Sequence, residues 1–330
     1  MGILMLSLII PVYKNEANIP ALLAAISDMR SRTGDDFEAV FVVDGSPDRS
    51  FSLLREALPK ADFDAQLVAL SRNFGAFAAI RAGLETARGD TCAVMAADLQ
   101  EPPELVLEMH AALRRGDCDV AYGTRIKRGD PWRSRMMSGL FWRFYRHTIS
   151  PDIPEGGVDI FGCTRAVRDQ ILALEERNSS LVALLFWVGF RRQAFPYERR
   201  EREIGTSAWT FLKKWKYMQD SIFSFSDLPI TLLLGIGFFG TLLSASFAVV
   251  VLISALLGQI DVPGYAATII VILFFGAVQL LSVGVLGIYT WRIFENTKGR
   301  PLHIVMSAEA FSAAQQSSGD RDKSGLASKS

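Results

Sequence analysis

Two long stretches toward the C-terminal end carry no charged side chain. Leu228 to Ile260 contains no Asp, Glu, Lys or Arg, and after Asp261 the same holds from Val262 to Trp291. A helix needs about 20 apolar residues to cross the hydrocarbon core of a bilayer. Each stretch is long enough, and the link Gly258 to Gly264 between them is short. The pair predicts a transmembrane hairpin over residues 227–292. The half of the chain ahead of it has the patterning of a water-soluble α/β domain. Such a chain is expected to meet one substrate in water and another in the lipid.

The chain has 330 residues with a formal net charge of zero, which gives no reason to expect a nucleic-acid partner. Charge is uneven locally. Lys213, Lys214 and Lys216 precede the first apolar stretch, Arg292, Lys298 and Arg300 follow the second, and the link between them has no Lys or Arg. The positive-inside rule then puts both ends of the hairpin, and with them the N-terminal domain, in the cytoplasm. Three cysteines, Cys92, Cys118 and Cys163, have no metal-type spacing and are expected to be reduced and buried. The first apolar run, Leu6 to Val12, is short and leads into Pro-Val-Tyr, so it reads as a strand and not as a signal peptide.

Short apolar runs alternate with helical patterns from Leu6 to Gly123. Strands are predicted at 6–12, 38–43, 66–70, 91–97 and 119–123. Helices are predicted at 18–29, capped by Asn18 with Pro20 in its first turn, and at 50–57, 76–87 and 103–114. This alternation predicts a doubly wound, mostly parallel sheet, in which ligands bind beyond the C-terminal strand ends. Asp44, Ser71-Arg72-Asn73 and Asp98 all fall at such ends. Two basic, aromatic segments, about 133–149 and 206–225, read as helices lying in the membrane interface. The whole soluble domain is thus placed at 1–226. The remainder, 293–330, reads as a cytosolic tail. Its Ser-, Ala-, Gly- and Gln-rich composition predicts disorder from about Ser307.

Four segments carry the chemistry: Ile10-Pro11-Val12-Tyr13-Lys14-Asn15-Glu16, Val43-Asp44-Gly45-Ser46-Pro47-Asp48, Arg72-Asn73-Phe74-Gly75 and Ala97-Asp98-Leu99-Gln100-Glu101-Pro102-Pro103-Glu104. In order and spacing the chain resembles family 2 glycosyltransferases, in particular the polyisoprenyl-phosphate glycosyltransferases, a group that includes dolichyl-phosphate mannose synthase and bacterial relatives with two C-terminal spans. The resemblance covers about residues 5–300. It implies a GT-A-like fold and inverting transfer of a sugar from a nucleotide-diphosphate sugar to a polyprenyl phosphate such as undecaprenyl phosphate. It also implies a multi-pass protein of the bacterial inner (plasma) membrane that supplies lipid-linked sugar for cell-envelope glycans. A homo-oligomer is compatible with the sequence. The reading from another class is a non-catalytic membrane protein that binds a nucleotide sugar or organises a complex.

The resemblance also assigns residues. Pro11, Tyr13, Glu16, Asp44, Arg72, Asn73, Asp98 and Gln100 would hold the nucleotide sugar. Asp98 and Gln100 would hold Mg²⁺ or Mn²⁺. Asp98 and Asp159 would be the catalytic acids, with Asp159 toward the acceptor. Arg202, Arg200 and Ser207, in an Arg-rich segment, would bind the acceptor or the diphosphate, because guanidinium groups donate bidentate bonds to phosphate. The chain departs from the family at Ala96, where the metal motif has its first acid, at Val43 before Asp44, and at Ala208, where a Lys is usual. Each assignment has a plainer counterpart. Asp44 could be a turn residue, Asp98 a helix cap, Asp159 a loop carboxylate paired with Arg165, and the Arg run a solvated surface.

Overall fold

The computed structural model describes residues 5–34, 36–126, 152–154, 157–176, 180–199, 219–220, 222–223, 226, 228–257 and 264–313. They fall into two compact units. One comprises the chain up to 210, apart from 177–179, together with 301 onward; the other comprises 177–179 and 211–300.

The first unit is built on an eight-stranded mixed sheet of order β7-β5-β6-β4-β1-β2-β3-β8. Its strands are β1 Leu6–Val12, β2 Phe37–Val43, β3 Asp64–Leu70, β4 Thr91–Val94, β5 Val120–Arg125, β6 Phe161–Thr164, β7 Arg192–Tyr197 and β8 Val305–Phe311. β1, β2, β3 and β4 pair in parallel, as do β5 and β7; β6 runs antiparallel to β4 and β5, and β8 antiparallel to β3. The apolar runs of β1 and β2 are buried almost throughout, as expected of strands covered on both faces. Phe37, Phe41, Leu8 and Ile10 sit fully inside. Each contributes about 1.5–3 kcal/mol by leaving water.

The covering helices are α1 Ile19–Thr33, α2 Ser50–Ala57, α3 Ala76–Thr86, α4 Pro103–Arg115, α5 Arg165–Ala173 and α6 Leu181–Trp187. The elements predicted from the sequence between Leu6 and Gly123 stand where expected, β4 ending earlier at Val94. Asn18 begins α1 without capping it, since its side-chain amide donates to Asn15 Oδ1. α5 is tied to α3 by Arg81, a buried arginine of that helix. Its guanidinium donates to the carbonyls of Ile171, Leu172 and Leu174 and so satisfies the open end of the helix. All three cysteines are free and buried, and burial pushes the Cys92 thiol up to about 11, which keeps it inert.

One expectation is corrected. Ser307 does not begin a disordered tail. Residues 305–311 form β8 on the edge of β3, with Arg55 and Glu309 paired at 3.0 Å and Ser71 N donating to Ile304 O. A run of small and polar residues can still pair through its backbone, and Phe311 packs against the core. Residues 314–330 lie outside the described residues.

The second unit contains α7 Leu228–Leu256 and α8 Tyr265–Thr297. Both cover the predicted apolar stretches, and their side chains are largely exposed, Leu234 at 72% and Leu280 at 76%. Among the described residues, one helical stretch, Phe274–Thr297, is long and apolar enough to cross a membrane. The helices touch where Gly240 faces Phe275; a Cβ there would lie 3.1 Å from the ring. Arg292 pairs with Asp220 at 2.8 Å beside Phe223. The predicted interfacial helix at 133–149 lies outside the described residues, as does most of the one at 206–225.

Candidate active site

The strand order gathers the predicted residues along one edge of the first unit. Parallel strands β1 to β5 and β7 end there, and antiparallel β6 begins there, so Asp159, just before β6, joins the loops that follow β4, β5 and β7. The edge has two halves.

The first half is made by the loops after β1, β2 and β3. Asp48 ties the first two together. It accepts from Glu16 N at 3.1 Å, from the Ser46 hydroxyl at 2.6 Å and from the Ser50 hydroxyl at 2.9 Å. Burial alone would raise its pKa, but the Ser46 and Ser50 hydroxyls and the Glu16 and Ser50 amides together hold it below the usual carboxylate value. Glu16 in turn accepts from Arg49 N at 3.0 Å. Pro11 is the penultimate residue of β1 and Tyr13 is exposed beyond the strand, with the Lys14 ammonium 5.6 Å from its ring centroid.

Asp44 is buried, at 3% exposure. Its Oδ1 accepts from Phe74 N at 2.7 Å and its Oδ2 from Gly75 N at 2.8 Å. Burial raises its pKa, and the two amides and Arg72 only partly offset that. In this structure Asp44 shapes the loop that leads into α3. Asn73 reinforces it by donating to Asp44 O at 3.3 Å, and Arg72 lies over the Phe74 ring at 4.0 Å. Arg72 itself stays exposed on the surface of that loop.

The second half holds the charged chemistry. Leu99 has a φ of +55°, a left-handed conformation unusual for a branched side chain, and it turns the chain between Asp98 and Gln100. Gln100 N donates to Asp98 Oδ1 at 3.3 Å. The side-chain oxygen of Gln100 accepts from Arg199, just beyond β7. Arg199 also stands 3.8 Å from Glu101. Glu101 is 1% exposed, and among the described residues its Oε2 has no hydrogen-bond partner. Burial, then the neighbouring charges of Asp159 and Asp98, push its carboxyl up to about 7 against the pull of Arg199.

Asp159 is held by two donors from strands β5 and β7. Arg125 forms an ion pair with Oδ2, and the Tyr197 hydroxyl donates to the same oxygen at 3.1 Å. Arg165, the partner weighed from sequence, is elsewhere, paired with Asp90 at 3.2 Å. Glu101, Arg125, Tyr197 and Arg199 are site residues that the sequence reading did not single out. Arg200, Arg202 and Ser207 lie outside the described residues.

Of the two acid positions of the expected metal motif, this chain keeps one, Asp98, with Ala96 where the other would stand. Among the described residues no group of three His, Cys, Asp or Glu side chains is gathered to hold a metal ion. Mg²⁺ is commonly held by one or two carboxylates plus substrate phosphates, and Asp98 fits that pattern once a diphosphate supplies the remaining oxygens.

The described residues thus form an α/β sheet with acids and guanidinium groups gathered at the C-terminal strand ends. The family model for glycosyl transferase family 2 matches residues 7–174. An uncharacterised glycosyltransferase of Synechocystis is 35% identical over 301 residues, covering 91% of this chain and 94% of that protein. An uncharacterised glycosyltransferase of Bacillus subtilis is 34% identical, covering 92% and 93%. The bactoprenol glucosyl transferase of Shigella phage SfII is 32% identical, covering 91% and 97%. The chain belongs to glycosyl transferase family 2 and is a glycosyltransferase.

Proposed function

We propose that this enzyme transfers a sugar, with inversion, from a nucleotide-diphosphate sugar to a polyprenyl phosphate at the cytosolic face of a bacterial inner membrane. One observation carries the choice of acceptor: a protein named as a bactoprenol glucosyl transferase is 32% identical to this chain across 97% of its own length. The site geometry supports the same chemistry. The nucleoside end would rest on the Asp48-braced loops, and the diphosphate would come between Asp98 and Arg199. The acceptor phosphate would approach Asp159. A phosphate oxygen attacks the anomeric carbon, the bond to the nucleoside diphosphate breaks, and that group leaves with the bonding electrons. A phosphate monoester is already largely ionised near neutral pH, its second pKa being about 6, so it needs placement more than deprotonation.

Asp98 would hold Mg²⁺ or Mn²⁺ together with the diphosphate, and the cation would neutralise charge on the leaving group. Gln100 would join it through its side-chain oxygen, which has a second lone pair beside the one that accepts from Arg199. Arg202, Arg200 and Ser207 are proposed for the phosphates of donor or acceptor.

The two apolar helices would form a transmembrane hairpin with both ends inside, and the basic aromatic segments near 133–149 and 206–225 would lie on the membrane surface. The exposure of Leu234, Phe239 and Leu280 supports this, since such faces need an apolar partner. Release of nucleoside diphosphate by purified protein, with and without undecaprenyl phosphate, tests the proposal. Release that depends on the lipid supports it, and release indifferent to the lipid defeats it.

A further inference from the structure

Asp159 presents a difficulty for an enzyme whose acceptor is an anion. A carboxylate and a phosphate repel each other, and the repulsion grows in a partly buried site where the dielectric is low. The fold around Asp159 answers this. Arg125 closes β5 and Tyr197 closes β7, and the two are register partners on parallel neighbouring strands. Both reach Oδ2 of Asp159, which comes from a segment 34 residues beyond Arg125 and 38 before Tyr197. Among the described residues no hydrogen bond is made to Oδ1. The Tyr197 ring is buried at 4% exposure, and Gly123 makes the room for it: a Cβ at Gly123 would lie 2.9 Å from the ring and 2.5 Å from Ile160. Ile160 directly follows Asp159, so one glycine lets the phenol and the acid meet.

We propose that Arg125 and Tyr197 are positioning residues, a clamp that balances the charge of Asp159 and fixes one of its oxygens, so that the acid meets the acceptor phosphate in a single orientation. The inference rests on the acceptor reading above. Tyr197 touches no reacting atom; it acts through Asp159. A second carboxylate, Glu101, lies close enough to interact electrostatically with both Tyr197 and Asp159, and Arg199 stands 3.8 Å from it. The clamp therefore also keeps Asp159 in place within a group of like charges.

A double-mutant cycle on the full-length protein in detergent and lipid tests this. Tyr197→Phe removes one hydrogen bond to a charged group and should lower single-turnover sugar transfer about tenfold, leaving the KM for the nucleotide sugar within about twofold. In the Asp159→Asn background the same change should cost less than about twofold, because its target is already altered. Arg125→Lys should retain more activity than Arg125→Gln, and this pair carries the cycle if Tyr197→Phe fails to fold. An equal loss in both backgrounds, or none in the wild type, overturns the clamp while leaving the acceptor reading intact. Failure of the wild-type protein to transfer sugar to any polyprenyl phosphate overturns that reading, and the clamp's role with it.

Discussion

Gly45 and Arg72 meet backbone to backbone: a Cβ on Gly45 would lie 2.3 Å from the Arg72 carbonyl carbon and 2.4 Å from Asn73 N. Gly45 also has a φ of +55°, which side chains resist. The loops after β2 and β3 can close on each other only because this residue has no side chain, and Asp44 beside it then grips Phe74 and Gly75. Gly45→Ala is expected to destabilise the protein by about 2–3 kcal/mol. It should also raise the KM for the nucleotide sugar, because the loop carrying Arg72 and Asn73 is displaced. Urea midpoints and donor kinetics on one variant check both; unchanged values in each would refute the close-approach account.

Asp48 gives the first half of the site a dependence on pH. Its folded pKa is lowered, so its contribution to stability is fully present above its unfolded value of about 3.9 and is lost as the pH falls through the folded value. Asp48→Ala should cost on the order of 1–3 kcal/mol at neutral pH. The gap between wild type and variant should narrow below about pH 4. Unfolding midpoints from pH 3 to 7 measure it, and a gap that widens in acid would contradict the assignment.

How much of this was legible in the sequence differs by element. β1, β2 and β3 were readable because continuous buried apolar runs leave few alternatives. β6 spans only Phe161–Thr164, too short to show a period. β7 mixes Arg192 and Gln193 with Pro196, and β8 pairs at an edge where the ladder, not the side chains, decides. Position in the motifs pointed to Asp98 and Asp159, but not to their partners. Arg125, Tyr197 and Arg199 reach the site by strand order, across separations of 34 to 99 residues, and no local pattern encodes that. The bonds from Phe74 N and Gly75 N to Asp44 were not legible either, because a sequence does not reveal which amides a carboxylate will meet.

The proposed metal site makes its own prediction. Asp98→Ala should abolish turnover. Ala96→Asp should restore a second carboxylate and lower the Mg²⁺ or Mn²⁺ concentration needed for half-maximal activity, by about tenfold if the new acid adds a hydrogen-bond-strength contact. Metal titrations of wild type and Ala96→Asp decide it. Full wild-type activity in excess chelator would remove the metal from the account and shift the leaving group's charge to the arginines.

Topology is open to chemical labelling. A cysteine replacing Gln259, in the link free of Lys and Arg, should react with a membrane-impermeant thiol reagent in intact cells, and a cysteine replacing Ser317 should not. The reverse pattern would turn the proposed hairpin over and put the site on the wrong side for a cytosolic nucleotide sugar.

The central claim is the bond that forms. Purified protein should be incubated with undecaprenyl phosphate, Mg²⁺ or Mn²⁺ and a panel of nucleotide-diphosphate sugars, and the organic phase read by mass spectrometry. The account predicts that at least one donor yields undecaprenyl phosphate heavier by one sugar, with an equal amount of free nucleoside diphosphate in the aqueous phase and none of either with Asp98→Ala. A full panel that leaves the lipid unmodified, with or without nucleotide release, would contradict it.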